Sequence, residues 1–587
     1  MLNTRSRHKT FARALVALAI GGLIAQASAV TLQGDKPVIA GTTRYDELTI
    51  RPGQVPTAPA GKALTLTVDG ISTEIAPGTY RGKVVLAVTD PILVKYRELP
   101  EAGFRSALYV EDNKVVEDKS VTSALVGGSY DGNAAKGVAI TSHENLLNGI
   151  IVTGDSKYTL DDPVIELVGY GGNDFAGWGA AIMASGKAEL TVNNPKIHTK
   201  GAVRTAVFVG GHSTVHVNNA DIYTESGPLP PGYEENLRVG EMKEVPWQLS
   251  LSGNVRSTNL VDHATVYYTN SHIRSSGWGV LSVDDAAVTR MFVKDSLIET
   301  LDSGYGAYSI GDSVDTFDHS TLNVADYGLI IAGQGGGVFT NGSVVNSRRF
   351  GVMLFDHDGG GDLNIDKGTV FNTRLTGVLF KGRGGRLNLD NATINAGNGI
   401  LVHAMVEDNP RKVAQKLAAA KQGAAAPAPA PIVGERNSRP MGYDQSPDVT
   451  VNLKNAKLDG DLLNTRTEEG GLVVNLDATT LHGAISTGVQ KPITEMPLVR
   501  ANFWQIGEVT VTREPTPGEH GATVALTNGA QWTVTKTSYL TKLSLDRGSK
   551  VRAPEGYRLS FTVDGKPTAI KPGATYQGKA VLDVRPL

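Results

Sequence analysis

One short stretch recurs along the chain, and recurrence constrains a fold more than composition does. "GWGVLSVDDA" at Gly277 is followed by "GYGAYSIGDS" at Gly304, "DYGLIIAGQG" at Asp326 and "RFGVMLFDHD" at Arg349. Further copies read "GWGAAIMASG" at Gly177, "PWQLSLSGN" at Pro246, "LTGVLFKGR" at Leu375 and "GNGILVHAM" at Gly397. From Gly279 the glycine column passes through Gly306, Gly328, Gly351, Gly377 and Gly399, in steps of 27, 22, 23, 26 and 22 residues. One repeat is one turn of a coil. Such a core grows along one axis, which is how 587 residues can share it.

Each turn carries a second patterned segment: "LTVNNPKI", "VHVNNADI", "VYYTNSHI", "MFVKDSLI", "DTFDHSTL", "GVFTNGSV" and "LNLDNATI". An apolar-x-apolar pair precedes a corner residue, and an apolar residue returns three positions later. The corner column is Asn194, Asn219, Asn270, Asp295, His319, Asn341 and Asn391. Asparagine tolerates left-handed backbone and bonds its own turn. The hydrophobic period is two throughout, so strands are expected and helices are not.

These repeats resemble the right-handed parallel β-helix proteins, both the pectate-lyase-like group and autotransporter passengers, over roughly residues 120–500. The fold class expected is therefore all-β: a right-handed parallel β-helix solenoid with β capping units at both ends. The segment "TNGAQWTVTKTSYLTKLSLDRGSKVRAPEGYRLSFTVDG" resembles the C-terminal part of such passengers, but no run of alternating transmembrane strands follows it. Export through a barrel of its own is not expected.

Parity sorts the glycine-column strand. Ala180, Leu249, Val280, Ala307, Leu329, Val352, Val378 and Ile400 are expected to point inward. So are Ile182, Leu251, Ser282, Ser309, Ile331, Leu354, Phe380 and Val402. The column between them, Leu281, Tyr308, Ile330, Met353, Leu379 and Leu401, then points out. A column this apolar should be covered by a loop, a ligand or a second copy of the chain.

The ends are informative. "MLNTRSRHKTFARALVALAIGGLIAQASAV" has a basic start, a short apolar run and Ala27-Ser28-Ala29, the pattern of a cleaved export signal over residues 1–29. A periplasmic or secreted protein without a membrane span is expected. The absence of cysteine removes disulfides as staples. A formal charge of -3 gives no reason to expect nucleic acid as a partner. "LTLTVDGISTEIAPGTYRGKVVLAV" at Leu64 and "LSFTVDGKPTAIKPGATYQGKAVLDV" at Leu559 match each other and suit paired caps, which a solenoid needs to hide its open strand edges. The expected organisation is an N-terminal cap over 30–119, the β-helix over 120–406, and a helix with an Ala/Pro-rich spacer over 407–448. The last turns follow over 449–500 and a C-terminal cap over 501–587. A further excursion spans 225–247.

Chemistry is expected where the glycine-column strand ends. Asp284, Asp285, Asp312, Asp356 and His357 follow that strand on successive turns, and turns lie about 4.8 Å apart. Crowded carboxylates raise a neighbour's pKa, and carboxylate pairs about 5 to 9.5 Å apart serve glycoside hydrolysis. The resemblance to β-helix polysaccharide lyases implies an alternative, in which carboxylates such as Asp358 hold Ca²⁺ and a Lys or Arg takes the proton. Trp278, Tyr305, Tyr308, Lys381 and Arg383 are the candidates for holding a sugar. Polygalacturonases of similar fold carry Asn-Thr-Asp, Asp-Asp, Gly-His-Gly and Arg-Ile-Lys motifs. "VDD" at Val283 and "DHDGG" at Asp356 echo two of these, and the first and last are absent. His319 and His403 read as corner or surface residues. Two functions stay open: an exported glycan-binding protein that cleaves its ligand by lyase or hydrolase chemistry, or a non-catalytic adhesin-like or structural β-helix.

Overall fold

The computed structural model describes residues 26–27, 29–238, 240–284, 287–355, 360–421, 446–494, 497–516 and 520–587. Three parallel sheets form the walls of a coil, and each turn contributes one strand to each. In one turn these are Trp278–Val283, Thr289–Lys294 and Leu297–Thr300. Each pairs in parallel with its counterpart one turn on, Tyr305–Ile310, Ser313–Asp318 and Thr321–Val324. The first sheet runs from the strand Ala102–Glu111 to Ile485–Pro492, and the second from Ala134–Lys136 to Ser538–Leu545. The expected solenoid is what forms.

The interior is a ladder of apolar side chains. Leu329, Val352 and Val378 enter from the first sheet, Phe317, Phe339 and Ile365 from the second, and Leu322, Val345 and Phe371 from the third. Phe317 stacks on Phe339 at 4.7 Å, and Phe371 meets Phe339 edge-on at 5.0 Å. The column Asn194, Asn219, Asn270, Asp295, His319, Asn341 and Asn391 turns the corner between the second and third sheets. All seven have φ between 48° and 53° except Asn219 at 55°, so the left-handed corner read from the sequence is present.

Register differs from the motif alignment in four turns. In the Gly177 copy Ile182, not Ala180, reaches the column of Leu281 and Ala307 by way of Val207 and Thr258, and Ala180 packs in the outer cluster with Met183 and Phe208 rather than inward. "PWQLSLSGN" is not a wall strand: Trp247–Leu249 is a short 3-10 turn, and the strand of that turn is Val255–Leu260. Gly279 pairs with Tyr305, not with Gly306, so Leu281 sits beside Ala307 inside the coil and Ser282 beside Tyr308 outside it. Val378 pairs with Val402, which places His403 outside, beside Leu379, and a register irregularity between Ile400 and Val402 lets Leu401 enter the core as well. The physical reason is local. A Cβ on Gly279 would fall 2.1 Å from the Tyr305 ring, and Trp278 takes φ 69°, so this glycine makes room for an aromatic neighbour rather than repeating the glycine of the next turn.

Matching units close the two ends. Near the N-terminus, Thr43–Ile50, Ala63–Val68 and Gly78–Thr89 form antiparallel pairs, and Ile71–Thr73 adds in parallel to Ala139–His143 of the third sheet. Near the C-terminus, Ser538–Leu545, Tyr557–Val563 and Thr575–Pro586 do the same. Asp69-Gly70 and Asp564-Gly565 are both left-handed turns, and each Asp Oδ1 accepts from the backbone N–H of a lysine, Lys83 at 2.8 Å and Lys579 at 2.9 Å. The helix Pro410–Lys421 is present, and the Ala/Pro spacer at 422–445 lies outside the described residues.

Candidate functional site

The outward face of the first sheet was expected to need a cover, and it has one made of this chain. Ile330, Met353 and Leu379 pack with Met242, Val245, Leu249 and Leu251 from the excursion and its exit, and with Val509 from a later strap. A second cluster beside it buries Phe104, Tyr109, Ile151, Met183, Phe208 and Val261 under partly buried Trp178. The apolar column is thus a second core beneath a roof.

Roofing decides what the candidate residues can do. Asp284 leaves the strand beside Arg256, which is 1% exposed, and the two are in direct contact. Arg256 Nε and Nη2 donate to Asp174 Oδ2 at 2.9 and 2.7 Å, and Asp174 is fully buried. The guanidinium lies 4.2 Å from the Trp278 ring centroid and 4.7 Å from that of Phe175. Asn259 Nδ2 donates to the Asp174 carbonyl at 2.9 Å. Tyr305 donates or accepts at Ser282 Oγ, 2.7 Å away, and stands 5.6 Å from Tyr308. Burial pushes the pKa of both tyrosine hydroxyls up. Trp278 and Tyr305 are buried under the roof, and they line no open platform.

Farther along the same face, Lys381 is buried and its Nζ donates to Asp408 Oδ1 at 2.6 Å. Arg349 reaches the strap 499–508, donating to the Trp504 carbonyl at 2.6 Å and the Ile506 carbonyl at 3.0 Å, and it meets Ser250 Oγ at 2.6 Å. Its carboxylate partners are Asp326 at 3.3 Å and Glu508 at 3.5 Å. His403 is 1% exposed, in contrast to the surface or corner position read for it, with Nε2 2.9 Å from Thr465 Oγ1. Burial pushes its pKa down to about 3, so the ring is neutral.

Asp312 turns to Arg290, 3.6 Å away, while Asp284 turns to Arg256; the described carboxylates go to different cations and do not form the shared cluster expected. Arg383 is exposed. Asp285, Asp356, His357 and Asp358 lie outside the described residues. Among the described residues, no three His, Asp or Glu side chains come together to hold a metal, so they provide no Ca²⁺ cradle. Sequence reasoning missed Arg256, Asp174, Arg349 and Asp408. Arg256 was hidden because "PWQLSLSGN" imitated the repeat and displaced the true strand "VRSTNL".

An open polar surface lies on the third sheet, and three of its asparagines are more exposed than the matching row Asn364, Asn388, Asn452 and Asn475 on the second. Asn323, Asn346, Asn372 and Asn395 are in register on consecutive turns. Each Nδ2 donates to the preceding residue's side chain: Asn323 to Glu299 at 3.1 Å, then Asn346 to Asn323, Asn372 to Asn346 and Asn395 to Asn372, each at 2.9 Å. Asn346, Asn372 and Asn395 are exposed. A shallow groove of about 540 Å³ is lined by Asn372 and Asn395 of this row, with Thr373, Arg374 and Asp459. The spacing of 23, 26 and 23 residues equals the repeat, and that was the signal in the sequence.

Rings on the second sheet offer less. His216, Tyr267 and Phe292 stack at 4.6 and 4.8 Å with planes within 8°. Their faces are spent on one another, so they are poor platforms for a sugar. Among the described residues no helix is long and apolar enough to cross a membrane. Compared with known proteins, the chain matches no family model, no curated protein and no solved structure.

Proposed function

We propose that this chain is an exported, non-catalytic β-helix that binds an extracellular polysaccharide along the asparagine ladder of its third sheet. The observation that carries the reading is the ladder itself. Each of Asn346 and Asn372 uses one amide hydrogen and one carbonyl site on its neighbours, leaving a second hydrogen and a second lone pair to offer outward at every turn. A row of amides at the inter-turn spacing of about 4.8 Å meets sugar hydroxyls with alternating donors and acceptors. The ladder is uncharged, so an uncharged polysaccharide is the better fit, with Arg374 and Asp459 at the groove margin supplying stronger hydrogen bonds. Catalysis at the first sheet is disfavoured because Asp284, Asp312 and Lys381 are already held by Arg256, Arg290 and Asp408.

Affinity electrophoresis of the purified protein in gels containing neutral or acidic polysaccharides tests this. Retardation by a neutral glycan should be lost in Asn346→Ala/Asn372→Ala/Asn395→Ala while the melting temperature stays nearly constant. Retardation unchanged in that variant would place recognition elsewhere.

A further inference from the structure

The Lys381–Asp408 pair has more built around it than an ion pair needs. Lys381 stands on the strand Val378–Lys381, and Asp408 on the segment leading to the helix Pro410–Lys421. Lys381 Nζ lies 2.6 Å from Asp408 Oδ1, so the amine is one hydrogen bond from an oxygen of the Asp408 carboxyl carbon. The Lys381 side chain is 2% exposed and that of Asp408 10%. Oδ2 accepts the backbone N–H of Gly507 at 2.6 Å. A Cβ on Gly507 would fall 3.1 Å from the Phe350 ring and 3.4 Å from Lys381 Nζ, so the absence of a side chain lets this N–H approach. Phe355 and Met405 flank Lys381 in register. Glu407, next in the chain, is 5% exposed, and its carboxylate is engaged elsewhere: Oε1 accepts the Asn409 N–H at 2.9 Å and Oε2 lies 3.8 Å from Lys412 Nζ.

From this geometry we propose that Lys381 and Asp408 condense into a side-chain amide, a covalent staple that fastens the 406–412 strap to the first sheet. Proximity of a desolvated amine and carboxyl raises their effective concentration, and the backbone N–H of Gly507 sits where negative charge gathers on Oδ2. In the unreacted pair, burial opposes the Lys381 ammonium, but Asp408, Tyr327 and Glu407 outweigh it and hold its pKa above the ordinary value. The step therefore begins with Nζ returning a proton to Asp408 Oδ1. The neutral amine attacks Cγ and forms the N–C bond, and Oδ2 carries the negative charge against the Gly507 N–H. The attacking nitrogen then gives a second proton to Oδ1, 2.6 Å away in the starting pair, and Oδ1 departs as water. One C–O bond breaks and one C–N bond forms, no electrons are exchanged, and no co-reactant is required. A chain without cysteine has no disulfide to do this work.

Peptide mapping by mass spectrometry of the denatured full chain tests the staple. A branched tryptic peptide holding both Lys381 and Asp408, lighter by one water than its two parts, is expected. Lys381→Arg and Asp408→Ala should each abolish it. Separate, unmodified peptides carrying Lys381 and Asp408 in the wild-type chain would overturn the proposal, whatever the variants do.

Discussion

The two faces of the first sheet are both buried, yet they are held by different means. Inside the coil, Leu329, Ile331, Val352 and Leu354 need only other apolar side chains, because the strands that carry them pair turn to turn. Outside, the roof is irregular chain, and its carbonyls have no ladder to join. Arginine and lysine supply the missing donors: Arg349 takes the Trp504 and Ile506 carbonyls, and Lys243 takes that of Gly172 at 2.7 Å. The charges that look like chemistry in the sequence are, on this face, the means by which loops are fixed to a sheet.

The largest effect should come from cutting that fixing. Arg256→Met leaves Asp174 and Asp284 without their cation, one of them fully buried, and should cost about 3–5 kcal/mol in urea unfolding. Replacing Asp174 and Asp284 by Leu in the same chain should recover much of that loss, because the apolar set leaves no buried charge. Leu329→Ala in the inner core should cost about 2–5 kcal/mol and should not be rescued by any charge change.

The two cores also titrate in opposite directions. His403 under the roof is held neutral, its pKa pushed down by burial to about 3. A depressed pKa gives stability that is present above the unfolded value near 6.5 and lost as pH falls, so about 2 kcal/mol should disappear by pH 5, and His403→Gln should remove that slope. Asp315 is the reverse case. It is fully buried on the inner face, between Met291 and Gly337, with neither carboxyl oxygen hydrogen-bonded. Burial raises its pKa well above the ordinary value. Its stability contribution is present below the unfolded pKa and lost as pH rises toward the folded one. Asp315→Leu should therefore gain about 1–3 kcal/mol at neutral pH and remove the fall in stability that sets in as pH rises above the unfolded carboxyl value.

The fold was legible because stacking forces every turn to repeat the same corner and parity. The site was not, and the reasons are specific. A one-residue shift at Gly279 exchanged Leu281 with Ser282, and a two-residue shift at Val402 carried His403 from a supposed corner to the roofed face. Asp284 reads the same in sequence whether it faces solvent or Arg256, since Asp174, the carboxylate that shares Arg256 with it, lies 110 residues earlier in a loop with no repeat. The asparagine ladder was missed: its 23-, 26- and 23-residue spacing stood in the sequence, but its exposure depends on the sheet it stands on.

The smallest stability effect and the largest functional one should coincide. Asn372→Ala on the bare third sheet should change stability by no more than about 0.5 kcal/mol. Polysaccharide binding, measured side by side for Asn346→Ala/Asn372→Ala/Asn395→Ala and for Asp284→Asn well below either melting temperature, tests the contrast between the two faces most directly. The ladder variant should lose binding and keep its melting temperature, whereas Asp284→Asn should lose melting temperature and keep binding. Binding or glycan cleavage abolished in Asp284→Asn, with the ladder variant unaffected, would contradict the account.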